Sequence, residues 1–190
     1  MMMEEELNGF VKTKPCTHIL YCYHNIDMYI KKVTAYLVDG VKSGETVILI
    51  ESEKNLNAMN ERLKADLTDD QMKRVHIISN FDFYLSSGSY HPPAIYEQLM
   101  KIYTLYFNGD TPFRTWTNVE WGALENPAHI VDWFEKETDK LVNEQQLTLV
   151  CAYEAEKMPA DMQAILEQSH PHIMTDEDLI ESTLHNKIKL

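Results

Sequence analysis

The carboxylates of Glu51 and Glu53 flank Ser52 directly after the apolar run Thr46-Val47-Ile48-Leu49-Ile50. Two acids at the end of a strand can polarise a water for general-base work, or can form a charge pair that favours the N-terminus of the next helix. The histidines and cysteines offer a second chemistry. His170-Pro171-His172 supplies two metal ligands, and His18, His24, Cys22 or Cys151 completes a set if the fold gathers them. Their spacing matches no zinc signature, so the sequence by itself assigns no metal and no other cofactor. His18, which opens an apolar run, is expected to be a structural residue bonded to a backbone carbonyl. Cys151 lies inside another apolar run, where a cysteine packs rather than attacks. Ser87-Gly88-Ser89 lacks the strand-turn-helix context of a nucleophile elbow and reads as a turn. Trp116, Trp121 and Trp133, with the tyrosines, either line an apolar cavity or are plain core. Nothing catalytic accompanies the two glutamates, so an enzyme is the reading with least support, and no catalytic residue is assigned.

The elements that must hold these residues alternate along the chain. Short runs rich in β-branched and aromatic residues are expected as strands at 17–23, 46–50, 75–78, 113–121 and 147–153, with an edge strand at 172–174. Between them lie stretches of helical spacing: 26–42, stopped by Ser43-Gly44; a helix capped by Ser52; Pro92 to about Asn108-Gly109; 127–143; and 159–168. Residues 80–91 read as a polar loop, and the tail from Asp176 as partly helical. Strand-helix alternation with right-handed crossovers predicts an α/β protein, a three-layer α/β/α sandwich around a mainly parallel sheet. One domain is expected over residues 17–174, with an N-terminal arm at 1–16 and a C-terminal tail at 175–190.

In such sheets ligands bind beyond the carboxyl ends of the strands. The residues there are Tyr23-His24-Asn25, Glu51-Ser52-Glu53, Asn80, Glu120-Trp121 and Tyr153-Glu154. Tyr23, His24, Glu51, Glu53, Glu120, Trp121, Tyr153 and Glu154, with Ile26 to Tyr29, are therefore the expected ligand-binding positions. A triphosphate needs glycines and a lysine after the first strand, so that backbone amides can approach it and a cation can neutralise it. This chain has Tyr23-His24-Asn25-Ile26-Asp27 there, and no GxGxxG anywhere. ATP hydrolysis and dinucleotide binding are thus both disfavoured.

Charge narrows the partners. Lys plus Arg number 17 against 30 Asp plus Glu, a net charge of −13, with no basic run, so direct nucleic-acid contact is not expected. Hydrophobic residues make up 44% of the 190, enough for a core, yet no apolar run approaches the ~18–20 residues of a membrane span. The acidic start MMMEEELNG has no signal-peptide pattern, and three cysteines without a CxxC suit a reducing compartment, so a cytoplasmic location is expected.

The order of the pieces is recognisable. The run 17–23, the helix end Asp39-Gly40-Val41-Lys42-Ser43-Gly44-Glu45, the strand 47–50, then Leu149-Val150-Cys151-Ala152-Tyr153 and Ser169-His170-Pro171-His172, together resemble the MEDS domain over about residues 17–174. The family's recognisable positions fall on His18, Tyr21, Tyr23, Gly40, Gly44, Glu45, Cys151, Ala152, Tyr153 and His170, with Glu120 near an acidic position of the fourth strand. The resemblance implies a RecA/KaiC-like fold whose phosphate loop has degenerated. It also implies a sensory or regulatory role: binding a small, hydrocarbon-derived molecule and passing the signal to a transcription-factor, kinase or anti-sigma module. Where the family often shows Gly-Glu-Met, this chain has Asn118-Val119-Glu120-Trp121-Gly122. Sixteen residues follow Met174, so a stand-alone domain is expected that signals through a protein partner, with a homo-oligomer as a further option. A ligand-free interaction module is the alternative.

Overall fold

The computed structural model describes residues 2–106, 111–122 and 124–185. In chain order the elements are α1 (Met2–Thr13), β1 (Thr17–Tyr23), α2 (Ile26–Lys42), β2 (Thr46–Glu51), α3 (Glu53–Asp66), α4 (Asp69–Met72), β3 (Val75–Ser79), α5 (Asn80–Tyr84), α6 (Pro92–Tyr106), β4 (Phe113–Asn118), α7 (Ala128–Gln145), β5 (Thr148–Glu154), α8 (Met162–Ser169), β6 (His172–Met174) and β7 (Leu179–Glu181). The sheet runs β3-β2-β4-β5-β1-β6-β7, and only the β6–β7 pair is antiparallel. This is the expected α/β/α sandwich.

The strands are apolar throughout because both of their faces are covered. Successive side chains point to opposite faces. Ile19, Tyr21, Tyr23, Val47 and Leu49 pack under α1, α2 and α3, whereas Leu20, Cys22, Ile48, Ile50, Cys151 and Tyr153 pack under α5 to α8. The chain leaves β1 and β2 towards the first face, through α2 and α3, and leaves β4 and β5 towards the second, through α7 and α8. In the sheet β5 neighbours β1, and β4 neighbours β2. The connections therefore diverge above these four strands, which opens a crevice at their carboxyl ends.

Several local expectations differ from what the chain does. Residues 80–84, expected in a loop, form α5: Ser79 Oγ accepts the Phe81 N–H at 3.2 Å, and Phe83 and Tyr84 are buried. The fourth strand stops at Asn118, after which the Val119 N–H donates to Ala152 O at 2.8 Å. Ser52 occupies the α3 cap position without a side-chain capping bond. The N-terminal segment is a helix whose Leu7 and Val11 are buried, and Lys12 Nζ meets Asp39 Oδ1 at 2.7 Å. The tail holds strand β7 rather than a helix over 179–181, so β6 is not an edge. The expected stop at Asn108-Gly109 and the tail's last residues, 186–190, lie outside the described residues. Among the described residues no helix is long and apolar enough to cross a membrane.

Gly44 closes α2 at φ +88°, a left-handed conformation that a Cβ disfavours. Gly40 serves contact instead. A methyl group there would lie 2.7 Å from Val47 Cγ1 and 3.0 Å from Arg114 Nε. Arg114 cannot retreat, being buried, 3.3 Å from Asp39 Oδ2 and ion-paired with Glu45. Gly40→Ala is accordingly expected to lower stability by about 1–3 kcal/mol, seen as a shifted urea midpoint at unchanged slope. Gly9→Ala, in α1 with open space around its Cβ, should be neutral or mildly stabilising.

Candidate functional site

The crevice above β1, β2, β4 and β5 is a cavity of about 740 Å³. Its floor is Tyr23 at the end of β1, Asn118 at the end of β4 and Asn55 in the first turn of α3. Ile26, Val119 and Trp121 form apolar walls, and His24, Lys54, Glu120, Glu154 and Lys157 bring charged or titratable groups to the rim. Lys157 Nζ pairs with Glu154 Oε2 at 2.6 Å, so one rim lysine is partly neutralised within the site.

Beneath the floor lies Glu51, fully buried. Its Oε2 accepts the Tyr29 hydroxyl at 2.5 Å, while Oε1 accepts the Ser52 N–H at 2.7 Å, Asn118 Nδ2 at 2.7 Å and Asn55 Nδ2 at 3.1 Å. Four donors around one carboxylate compensate the loss of its hydration. They also fix Asn55 and Asn118 in place. Trp116 Nε1 donates to the Tyr29 hydroxyl at 3.3 Å, and Tyr23 stacks on Tyr29 with centroids 4.2 Å apart. Burial, with Glu51 alongside, holds the Tyr29 hydroxyl well above the ordinary phenol pKa. It stays a donor.

The turn after β1 is occupied from within the chain. Asp176, between β6 and β7, accepts the backbone N–H groups of His24 and Asn25 on Oδ2 at 3.1 and 3.0 Å, and the Tyr21 hydroxyl on Oδ1 at 2.7 Å. Lys32 Nζ donates to the carbonyls of Thr175 and Asp176 at 3.2 and 2.8 Å, tying this segment to α2. A carboxylate thus sits on amides at the N-terminal approach to a helix, the position where a phosphate loop would hold its anion.

The expected ligand positions divide. Tyr23, His24, Glu120, Trp121 and Glu154 line the cavity. Glu51 lies under it, and Glu53 is exposed on a neighbouring recess with Ser79, Asn80 and Phe81. Tyr153 points to the opposite face of the sheet, where its hydroxyl donates to Glu135 Oε1. Of the tryptophans, Trp116 is core, Trp121 is cavity wall, and Trp133 is 44% exposed.

Among the described residues His18 makes no backbone-carbonyl bond of the expected kind: its Nδ1 faces Asp139 Oδ1 at 3.4 Å, and its Nε2 faces Cys151 Sγ at 3.3 Å and Glu135 Oε2 at 3.4 Å. A side-chain partner suits a residue whose strand is already paired on both edges, by β5 and β6. Burial, with Glu135 adjacent, pushes the Cys151 thiol well above its ordinary value, so it is no nucleophile as a free thiol.

Asn55, Lys54 and Lys157 were not singled out by sequence, although each follows a strand within a few residues; Asn118, the last residue of β4, entered only as part of the run Asn118-Val119-Glu120-Trp121-Gly122. Asp176 left no sequence signal at all, being 152 residues from its partner His24.

The family model of the MEDS domain, the methanogen/methylotroph DcmR sensory domain, matches residues 17–171. The ATPase domain of G40P superposes with a TM-score of 0.56 at 9% identity, over 85% of this chain and 69% of that one. A DnaB-like replicative helicase gives 0.51 at 11% identity, over 85% of this chain and 47% of that one, so the chain spans about half of its length. At such identities the likeness is one of fold, here RecA-like. Comparison with curated proteins returns no match. With four-fifths of its length under one family model and a sheet of RecA-like architecture, the chain belongs to the MEDS family of sensory domains.

Proposed function

We propose that the chain senses a small molecule in the strand-end cavity and reports its binding through contact with a protein partner of kinase, anti-sigma or transcription-factor type. The observation that carries this reading is the cavity itself: about 740 Å³, with aromatic and aliphatic walls and a polar floor held rigid by Glu51. That volume suits a small organic ligand. Tyr23, Trp121, Ile26 and Val119 favour an apolar body, while the Asn55 and Asn118 amides and Lys54 favour a single polar head. Family membership supports a sensory or regulatory role. Occupation of the His24 and Asn25 amides by Asp176 argues against a bound triphosphate, and so against ATP hydrolysis.

A thermal-shift screen of short-chain alcohols, aldehydes, amines, carboxylates, halogenated hydrocarbons and nucleotides tests the reading. A true ligand at a hundredfold excess over its Kd stabilises the fold by ~2.7 kcal/mol through mass action. The expected outcome is a raised Tm with at least one organic compound, lost in Trp121→Ala. If no compound moves the transition, or the shift persists in Trp121→Ala and Tyr23→Ala alike, the cavity is not a ligand site and the ligand-free interaction module takes its place.

A further inference from the structure

On the face of the sheet covered by α7 and α8, away from the cavity floor, four side chains from four parts of the chain converge. His18 comes from β1, Cys151 from β5, Glu135 from α7 and His170 from the residue that ends α8. All are buried, and one ligand atom from each lies within 4.8 Å of the others. The shorter separations are His18 Nε2 to Cys151 Sγ, 3.3 Å; His18 Nε2 to Glu135 Oε2, 3.4 Å; Cys151 Sγ to Glu135 Oε2, 3.5 Å; and His170 Nε2 to Glu135 Oε2, 3.6 Å. Zinc bonds of about 2.0–2.3 Å to N, O and S place neighbouring ligand atoms ~3.3–3.8 Å apart at the tetrahedral angle. The four distances fall in that window.

A second observation comes from the hydrogen bonds. His170 Nδ1 is 2.8 Å from the Leu166 carbonyl, which fixes its proton there and leaves Nε2 as a lone pair. That Nε2 is buried, directed at the cluster, and makes no hydrogen bond among the described residues. An orphaned acceptor in a dry interior is costly unless something electron-poor meets it. Outer partners of the kind that orient metal ligands are also in place. His18 Nδ1 faces Asp139 Oδ1 at 3.4 Å, Asp139 Oδ2 faces His185 Nε2 at 3.3 Å, and the Tyr153 hydroxyl donates to Glu135 Oε1.

We infer that His18, Glu135, Cys151 and His170 form a closed four-ligand site for a divalent zinc-type cation. Softness and geometry favour zinc, since two imidazoles, a thiolate and a carboxylate in a tetrahedron suit it better than magnesium or calcium, which prefer all-oxygen shells. Charge closes as well: Glu135 carboxylate and Cys151 thiolate balance a dication, with both histidines neutral. On binding, the Cys151 thiol and His18 Nε2 both give up their protons to solvent, and His18 keeps the single proton on Nδ1, towards Asp139. With every position filled by protein, the ion joins β1, β5, α7 and the α8 end as a structural staple rather than activating a water. Tyr153, stacked on the cavity-wall residue Trp121 with centroids 6.2 Å apart, connects this staple to the ligand pocket.

The test uses the full chain, purified without a metal-affinity step, stripped by chelator and titrated with Co²⁺, then Zn²⁺. The expected result is one Co²⁺ per chain, visible bands of tetrahedral intensity, a near-ultraviolet thiolate-to-cobalt charge-transfer band, and displacement by one equivalent of Zn²⁺. Cys151→Ala removes the charge-transfer band and weakens binding by more than the ~10–100-fold that loss of an outer partner costs, the effect expected of Tyr153→Phe. Cys16→Ala leaves the band unchanged. The inference is overturned if the wild-type chain takes up no stoichiometric cobalt, if its spectrum is octahedral without a thiolate band, or if the band survives Cys151→Ala. The wild-type spectrum decides the matter even if a variant fails to fold.

Discussion

Glu51→Ala is expected to lower the stability of the chain by about 3–5 kcal/mol, because it strands several buried donors at once. The Tyr29 hydroxyl, the Ser52 N–H and the amides of Asn55 and Asn118 all end on this carboxylate, and each would lose its acceptor at or beneath the cavity floor. Water entering the gap recovers part of the loss, which keeps the figure below a simple sum. Glu53→Ala, at an exposed position two residues on, should stay within ~0.5 kcal/mol of the parent. Denaturant unfolding of the two variants separates the alternatives for this pair of acids. A catalytic base held in reserve would be removable without harm to the fold; a carboxylate that fixes the cavity floor would not. Small-molecule binding should fail in Glu51→Ala even where the protein remains folded.

The second large effect is expected at Asp176. Its carboxylate accepts two backbone N–H groups and a tyrosine hydroxyl, joining the β6–β7 connection to the turn after β1. Charge-assisted bonds of this kind are individually strong, and Asp176→Ala should cost about 2–4 kcal/mol. Asp176→Asn, which keeps one acceptor oxygen, should recover part of that. Hydrogen exchange is the sharper readout: the His24 and Asn25 amides should lose protection in Asp176→Ala, whereas amides in the centre of β1 should not. The same change bares the helix approach that resembles a phosphate site, yet Tyr23 and His24 still stand where glycines would be required.

Much of the sheet was legible because its strands are buried on both faces and so read as unbroken apolar runs; β2 is the plainest case. The helix over Ile26–Lys42 was legible through its helical spacing and the Ser43-Gly44 stop after its end. Short elements were not. Asn80–Tyr84 is five residues long with polar ends, and its helicity depends on burying Phe83 and Tyr84 against the sheet. Leu179–Glu181 becomes a strand only because β6 offers it an edge. The candidate site was half legible. Rule-based placement at strand ends found Tyr23, His24, Glu120, Trp121 and Glu154, but strand parity sends Tyr153 to the other face along with Cys151. Glu135 and Asp176 reach their partners across long stretches of chain, and nothing local in either helix or tail marks them.

Phosphate release from magnesium-ATP by the pure chain tests the account most directly. With the turn after β1 filled by Asp176, release should not exceed that of buffer alone, and ATP should not raise the Tm. Steady release that follows the chain through purification and falls in Lys54→Ala would contradict it.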